Sequence, residues 1–264
     1  MARFFPHMQG HDRPILLAFA AAVLALPGMA AQAAGVNDTG QTLCHSSTGA
    51  VVPCAGGQDG RYGRDAAAAA GALPKTGAGV AGFDYTKIAN NGSDLAANAA
   101  LGGNPTDWAC TRDNLTDLTW EMKAASLTDL RYSGHTYTWY STAANNGGTV
   151  GSLGANTCNG TLALYANQCN TANYVLAVNA AALCGHSDWR LPTLKELQSL
   201  ANARTGSPVI DTTYFSNTQG NPYWSASNYA AGSGNAWYVD FSVGGSNAGL
   251  KTTGRYVRLV RGGN

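Results

Sequence analysis

Six cysteines constrain this chain more than any other feature. Cys44, Cys54, Cys110, Cys158, Cys169 and Cys184 all lie beyond an N-terminal segment with the marks of export. Arg3 and Arg13 precede an apolar stretch at residues 15–26 (ILLAFAAAVLAL), Pro27 and Gly28 break it, and Ala31-Gln32-Ala33 places small residues at the −3 and −1 positions of a cleavage site. That order describes a signal peptide over residues 1–33. The apolar run falls short of the roughly 20 residues a spanning helix needs, so no membrane span is expected after cleavage. An even number of cysteines in an exported chain reads as three disulfides. Six cysteines allow fifteen pairings, and spacing alone favours Cys44–Cys54 and Cys158–Cys169, which leaves Cys110–Cys184 as the long clamp. Zinc is the rival, but the chain has no C-x-x-C pair and no clustered histidines. The expected location is the periplasm, the cell surface or the extracellular space.

Charge narrows the partners. Removing Arg3, Arg13 and Asp12 from the 16 basic and 15 acidic residues leaves 14 of each. A neutral chain lacks the basic excess that phosphate neutralisation requires, so nucleic acid is not an expected partner. The abundance of Gly, Ala, Asn, Ser and Thr suits a loop-rich, hydrogen-bonded fold rather than a helical bundle.

Along the chain, residues 34–82 read as a small cystine-closed segment followed by an Ala/Gly-rich linker at 65–82 (DAAAAAGALPKTGAGVAG). Such a stretch offers little apolar area to offset the entropy of ordering it. From residue 83 the pattern changes. Phe83 and Tyr85 alternate with polar residues, Leu118, Trp120 and Met122 share one face, and Tyr137–Tyr140 is strand-like. A Gly/Asn-rich loop follows over 145–159. Two helices are expected. One covers about 171–184, with Tyr174, Val175, Val178, Ala182 and Leu183 on its apolar stripe and Gly185 at its C-terminal cap. The second starts after Pro192, where Thr193 and Glu196 form a capping box and Leu194, Leu197 and Leu200 form the apolar face. Strand patterns return at Tyr223–Ser225, Trp237–Phe241 (Trp237, Val239 and Phe241 on one side) and Tyr256–Val260, with polar loops at 226–235 and 242–249 between them. Strands, two helices and strands again predict an α+β domain over residues 83–264 with short antiparallel sheets.

These residues carry a family resemblance. WACTRDNLTDLTWEMK (108–123), YTWY (137–140), VNAAALCGHSDWRLPTLKELQSL (178–200), PVIDTTYF (208–215), YWSAS (223–227), WYVDF (237–241) and YVRLVRGG (256–263) occur in order and resemble the family typified by the C-terminal domain of the collagen-like adhesin Lcl. The resemblance implies a C-type-lectin-like fold related to the formylglycine-generating, sulfatase-modifying group, whose R-L-P-T-x-x-E helix start is similar to Arg190–Thr193 with Glu196. It also implies adhesion, with sulfated glycans as ligands and a homotrimer as the assembly.

No constellation for catalysis emerges. His45, His135 and His186 are the three histidines beyond the signal segment, and H-E-x-x-H, G-x-S-x-G and a phosphate-cradling loop are missing from the sequence. The formylglycine-generating chemistry implied by the resemblance uses a copper-binding cysteine pair late in the domain. No cysteine follows Cys184, which argues against that oxidase. The E-P-N, Q-P-D and W-N-D strings of calcium-dependent sugar binding do not occur, so no cofactor is expected and calcium has no supporting motif. The expectation is therefore a non-catalytic module that binds a glycan or protein through the loops at 226–235 and 242–251, with Asn228, Tyr229, Asn235, Ser246, Asn247, Lys251 and Arg255 as candidate contacts. Solvated turn residues are the plainer account of the same side chains. Trp120, Trp189, Trp224 and Trp237 offer rings for stacking on sugars, but their strand or turn settings favour the core; Asp188, Arg190 and Glu196 resemble a catalytic set, but are expected to tie a turn and cap a helix. Lys251, Arg255, Arg258 and Arg261 form a modest basic C-terminal edge that favours sulfated or acidic ligands, with solvated protection of a strand edge as the plainer account. The alternative is a structural subunit of a surface assembly.

Overall fold

Aromatic residues two positions apart, each needing a dry face, build the larger sheet. The computed structural model describes residues 37–54 and 58–262, so the expected signal peptide lies outside the described residues. β1 (Cys44–His45) and β2 (Val51–Val52) form a minimal hairpin closed by Cys44–Cys54. α1 (Gly63–Ala69) follows, then β3 (Tyr85–Ala89), β4 (Asp94–Leu95), β5 (Trp108–Asp113) and β6 (Thr119–Glu121). After a long loop come α2 (Thr171–Ala180) and α3 (Leu194–Gln198). β7 (Pro222–Asn228), β8 (Asn235–Asp240), β9 (Gly245–Leu250) and β10 (Val260–Arg261) complete the chain. The strands pair antiparallel as a five-stranded sheet, β10-β6-β5-β3-β4, and a three-stranded sheet, β7-β8-β9. The fold is mixed α and β, with few helices and three disulfides.

Two apolar cores share these sheets. One gathers Phe83, Tyr85, Leu118, Trp120, Met122, Leu197, Leu200, Val239 and Phe241, the same-face sets read from the sequence. The other gathers Tyr137, Trp139, Tyr174, Val178, Trp189 and Trp224 around Cys110–Cys184 and Cys158–Cys169. Those bridges are the pairs that spacing favours. Cys158–Cys169 closes a loop of 11 residues, and Cys110–Cys184 spans 74 residues between β5 and the turn after α2.

Three expectations change. The helix expected over 171–184 ends at Ala180. Ala182 and Cys184 both take left-handed backbone angles, φ 46° and 53°, which a continuing right-handed helix does not allow. The turn is held by Cys110 on one side and on the other by Asn179, whose amide brackets the Trp189 backbone at 2.8 and 2.9 Å. Ala182 is consequently exposed rather than part of an apolar stripe. The stretch read as a linker also holds more order than its composition implies. Asp65 of α1 is buried and accepts from the Gly82 N–H at 2.6 Å, Asp84 accepts from Thr76 and Gly77, and Asn37 donates to Asp113 and Ser199. Hydrogen bonds from a few polar residues do what apolar area cannot, and the described residues form one compact unit. Finally, Trp237 is not in the core: Trp120, Trp189 and Trp224 are fully buried, but Trp237 is only partly buried.

Candidate functional site

The three-stranded sheet positions the residues singled out by sequence, and it separates them. β8 runs between two turns, 229–234 after β7 and 241–244 before β9, so these turns sit at opposite ends of the sheet. The loop expected over 242–251 is mostly strand: residues 245–250 pair with β8 through six consecutive partners without a bulge. Gly, Ser, Asn and Ala have low strand preference, and pairing with an already ordered neighbour overrides it. Two facing recognition loops therefore do not exist here.

Register defines what lies together instead. Directly opposed residues share a face, and the pairs Asn235–Leu250, Trp237–Ala248 and Val239–Ser246 alternate along one side of the sheet. Val239 is buried in the core with Leu197 of α3. Ser246 Oγ accepts from Gln198 Nε2 of α3 at 3.0 Å, which confirms that α3 covers this face at the Ser246 end. α3 is only five residues long, and the face beyond it carries Trp237, Tyr229 and Leu250. The Tyr229 and Trp237 rings meet edge to face with centroids 5.3 Å apart. Both are partly buried, and Leu250 is 59% exposed. This is an aromatic shelf rimmed by Asn and Ser side chains.

The neighbouring Gly/Asn loop is pinned to the same end. Asn228, half-buried, donates from Nδ2 to the Asn145 carbonyl at 2.5 Å. Lys251 is 1% exposed, and its ammonium donates to the Asn146 and Thr149 carbonyls at 2.7 and 2.8 Å while standing 4.2 Å from the centroid of the Trp139 ring. Burial lowers its pKa from the ordinary lysine value. Lys251 is thus a structural strut rather than a ligand contact. Asn247 points to the other face from Trp237, and its Oδ1 accepts from the Ala248 N–H. Arg255 is sandwiched, with its guanidinium carbon 4.9 Å from the Trp224 ring and 3.9 Å from Tyr238.

The basic edge does not survive folding. Arg258 is fully buried, donating to the Glu121 carbonyl at 2.5 Å and to Thr218 Oγ1 at 2.8 Å. Arg261 pairs with Asp188 at 2.7 Å. A cleft of about 590 Å³ lies beside it, between Arg112 and Arg261, but Arg112 is likewise held by Asp94 at 2.7 Å. Strand alternation put these cations on different faces, and carboxylates or carbonyls occupy most of them. Arg190 and Glu196 act as expected: their bidentate pair, at 2.7 and 2.9 Å, locks the capping box in which Glu196 also accepts from the Thr193 N–H.

Comparison with known proteins now adds to the geometry. Residues 109–261, more than half of the chain, match the family model described as the Lcl C-terminal domain. The chain belongs to the Lcl C-terminal domain family. No curated protein and no solved structure matches it.

Within this Lcl C-terminal domain, the other buried charges look inward. Glu121 accepts from Lys123 Nζ at 2.9 Å, from the Leu259 N–H at 2.9 Å and from the Tyr174 hydroxyl, while Lys123 also donates to Tyr174. Among the described residues no three His, Cys, Asp or Glu side chains gather as a metal site, and no helix is long and apolar enough to cross a membrane. Sequence reasoning missed Trp237 and Leu250 as surface residues. Their alternation with Val239 and Phe241 signalled one face correctly, but not that the covering helix stops before reaching it.

Proposed function

We propose that this chain is an exported, non-catalytic binding or adhesion module with a C-type-lectin-like fold, and that it recognises a glycan or protein through the shelf formed by Tyr229, Trp237 and Leu250 with Asn235 and Ser246 at its rim. Family membership supports an adhesin-related module, and three disulfides suit an oxidising compartment. The observation that carries the reading is the Tyr229–Trp237 pair, two large rings left only partly buried beside a fully packed core. Flat aromatic faces with polar rims suit the apolar face of a pyranose ring or an apolar side chain, and Tyr and Trp present such area at low entropic cost. Because Lys251, Arg258 and Arg261 are buried or paired, the charge argument for sulfated ligands weakens, and stacking rather than ion pairing carries the affinity.

The test is a glycan array followed by titration of the hits against wild type, Tyr229→Ala and Trp237→Ala. Each substitution is expected to weaken binding by about 1–3 kcal/mol, roughly 5- to 150-fold, with an unchanged melting temperature. Equal affinity in all three proteins would place the binding surface elsewhere.

A further inference from the structure

Asparagine followed directly by glycine is the step of a chain most prone to lose its side-chain amide, because no side chain shields the next backbone nitrogen from the asparagine Cγ. Three such steps lie in the described residues: Asn91-Gly92, Asn146-Gly147 and Asn159-Gly160. They share a local sequence but differ in how the attacking nitrogen is held. The Gly92 N–H donates to the Ala89 carbonyl at 2.9 Å, and the Gly160 N–H donates to Asn156 Oδ1 at 2.8 Å. Attack requires the nitrogen to give up its proton and turn onto Cγ, and a hydrogen bond opposes both. The Gly147 N–H has no acceptor among the described residues. The groups around it are already arranged. Asn146 Oδ1 accepts from the Gly148 N–H at 2.9 Å, which draws electron density from the carbon under attack. Asn146 Nδ2 reaches the Ser141 carbonyl only at 3.4 Å, a weak hold on the leaving group. The glycine itself is required by the fold: its φ is 73°, and a Cβ there would stand 2.8 Å from Cγ and Oδ1 of Asn228. Gly147 is exposed, so water reaches the site.

We propose that Asn146-Gly147 is a self-modifying site, at which the folded chain converts Asn146 to aspartate and isoaspartate with water as the sole co-reactant. The Gly147 nitrogen gives up its proton and bonds to Asn146 Cγ. The Cγ–Nδ2 bond breaks, and ammonia leaves with that proton. Water then opens the cyclic imide at either carbonyl. Opening at Cγ restores the backbone and leaves an aspartate. Opening at the backbone carbonyl reroutes the chain through Cγ, and the oxygen that Lys251 now grips at 2.7 Å becomes part of a carboxylate. The buried Lys251 ammonium, held until then by two carbonyls and the Trp139 ring, thereby gains a counter-ion. Either product adds one negative charge to the loop beside the sheet end.

The other two Asn-Gly steps serve as internal controls. The full chain, expressed with its own leader and purified from the exported fraction, is aged while folded at mildly alkaline pH. The water is enriched in heavy oxygen, so that only carboxylates formed during ageing carry label, and peptide mass spectrometry follows the three sites. Label is expected first at Asn146, in both products, with Asn91 and Asn159 slower by roughly 2- to 12-fold, the factor that breaking one backbone hydrogen bond imposes. A more acidic form is expected to appear on an anion exchanger at the same rate, and Asn146→Gln, where attack needs a larger ring, is expected to delay it. Unfolded in urea with its disulfides reduced, the chain is expected to label all three sites at similar rates. Labelling of Asn91 or Asn159 as fast as Asn146 in the folded chain would overturn the proposal, as would a lead at Asn146 that persists after unfolding. No ligand enters these readouts, so failure of the shelf leaves them unaffected.

Discussion

Lys251 shows how a single residue changes its meaning on folding. A lysine in a polar C-terminal stretch reads as a surface cation, but here the ammonium replaces its water with two loop carbonyls and the Trp139 ring. Its role is to fix the 145–149 loop beside the sheet end. Lys251→Met keeps the aliphatic stem and removes the donors, and is expected to lower stability by about 1–3 kcal/mol, the range for leaving buried acceptors unmade. Urea titration checks this, and an unchanged midpoint would return Lys251 to the surface. Trp237 is the converse. Its neighbours Val239 and Phe241 were legible as a core face, and both are fully buried. Whether Trp237 is covered depends on the length of an element some forty residues earlier, which strand alternation does not encode. Tyr229 and Asn235 were legible as neighbours because they flank one turn, whereas Asn228, Lys251 and Arg258 needed their long-range partners to be placed.

At the scale of the element, local signals were read well where the governing interactions are themselves local. The capping box at Thr193 and Glu196 forms as its spacing predicts. Burial pushes the Glu196 pKa up, but the Arg190 fork and the Thr193 donors outweigh it and hold the carboxyl below its ordinary value. A carboxylate whose pKa is lower folded than unfolded adds stability that is present above the unfolded value and is lost as pH falls through the folded one. Glu196→Ala is therefore expected to cost about 1–2 kcal/mol near neutral pH, with the gap to wild type closing below about pH 4. Chemical denaturation at several pH values reads this directly, and a gap independent of pH would mean that the helix start does not depend on the ion pair. α2 and β9 were misread for the opposite reason. The end of α2 is set by a bridge to β5, and β9 by its register with β8. Partners distant in sequence decided both, against the local composition.

At the scale of the whole molecule, stability rests on unequal clamps. Cys44–Cys54 and Cys158–Cys169 close loops of 10 and 11 residues, while Cys110–Cys184 closes 74. If a crosslink acts mainly by restricting the unfolded chain, the short bridges contribute about 3 kcal/mol each and the long one about 4 kcal/mol. Location widens the difference. Cys110 lies in β5, paired on both sides in the five-stranded sheet, and Cys184 follows the helix that delivers Tyr174 to Glu121, so this bridge joins the sheet to the second core. Cys44–Cys54 closes a hairpin at the rim. Replacing both cysteines of a pair by alanine is thus expected to lower the melting temperature most for Cys110/Cys184 and least for Cys44/Cys54. Cys158/Cys169 should fall between them, since both its sulfurs are buried but its loop is short. Thermal melts of the three double variants give the order. If Cys44/Cys54 proved the most damaging, the N-terminal segment would be a foundation of the fold, and residues 37–82 would have to be treated as part of its core and not as a strap laid upon it.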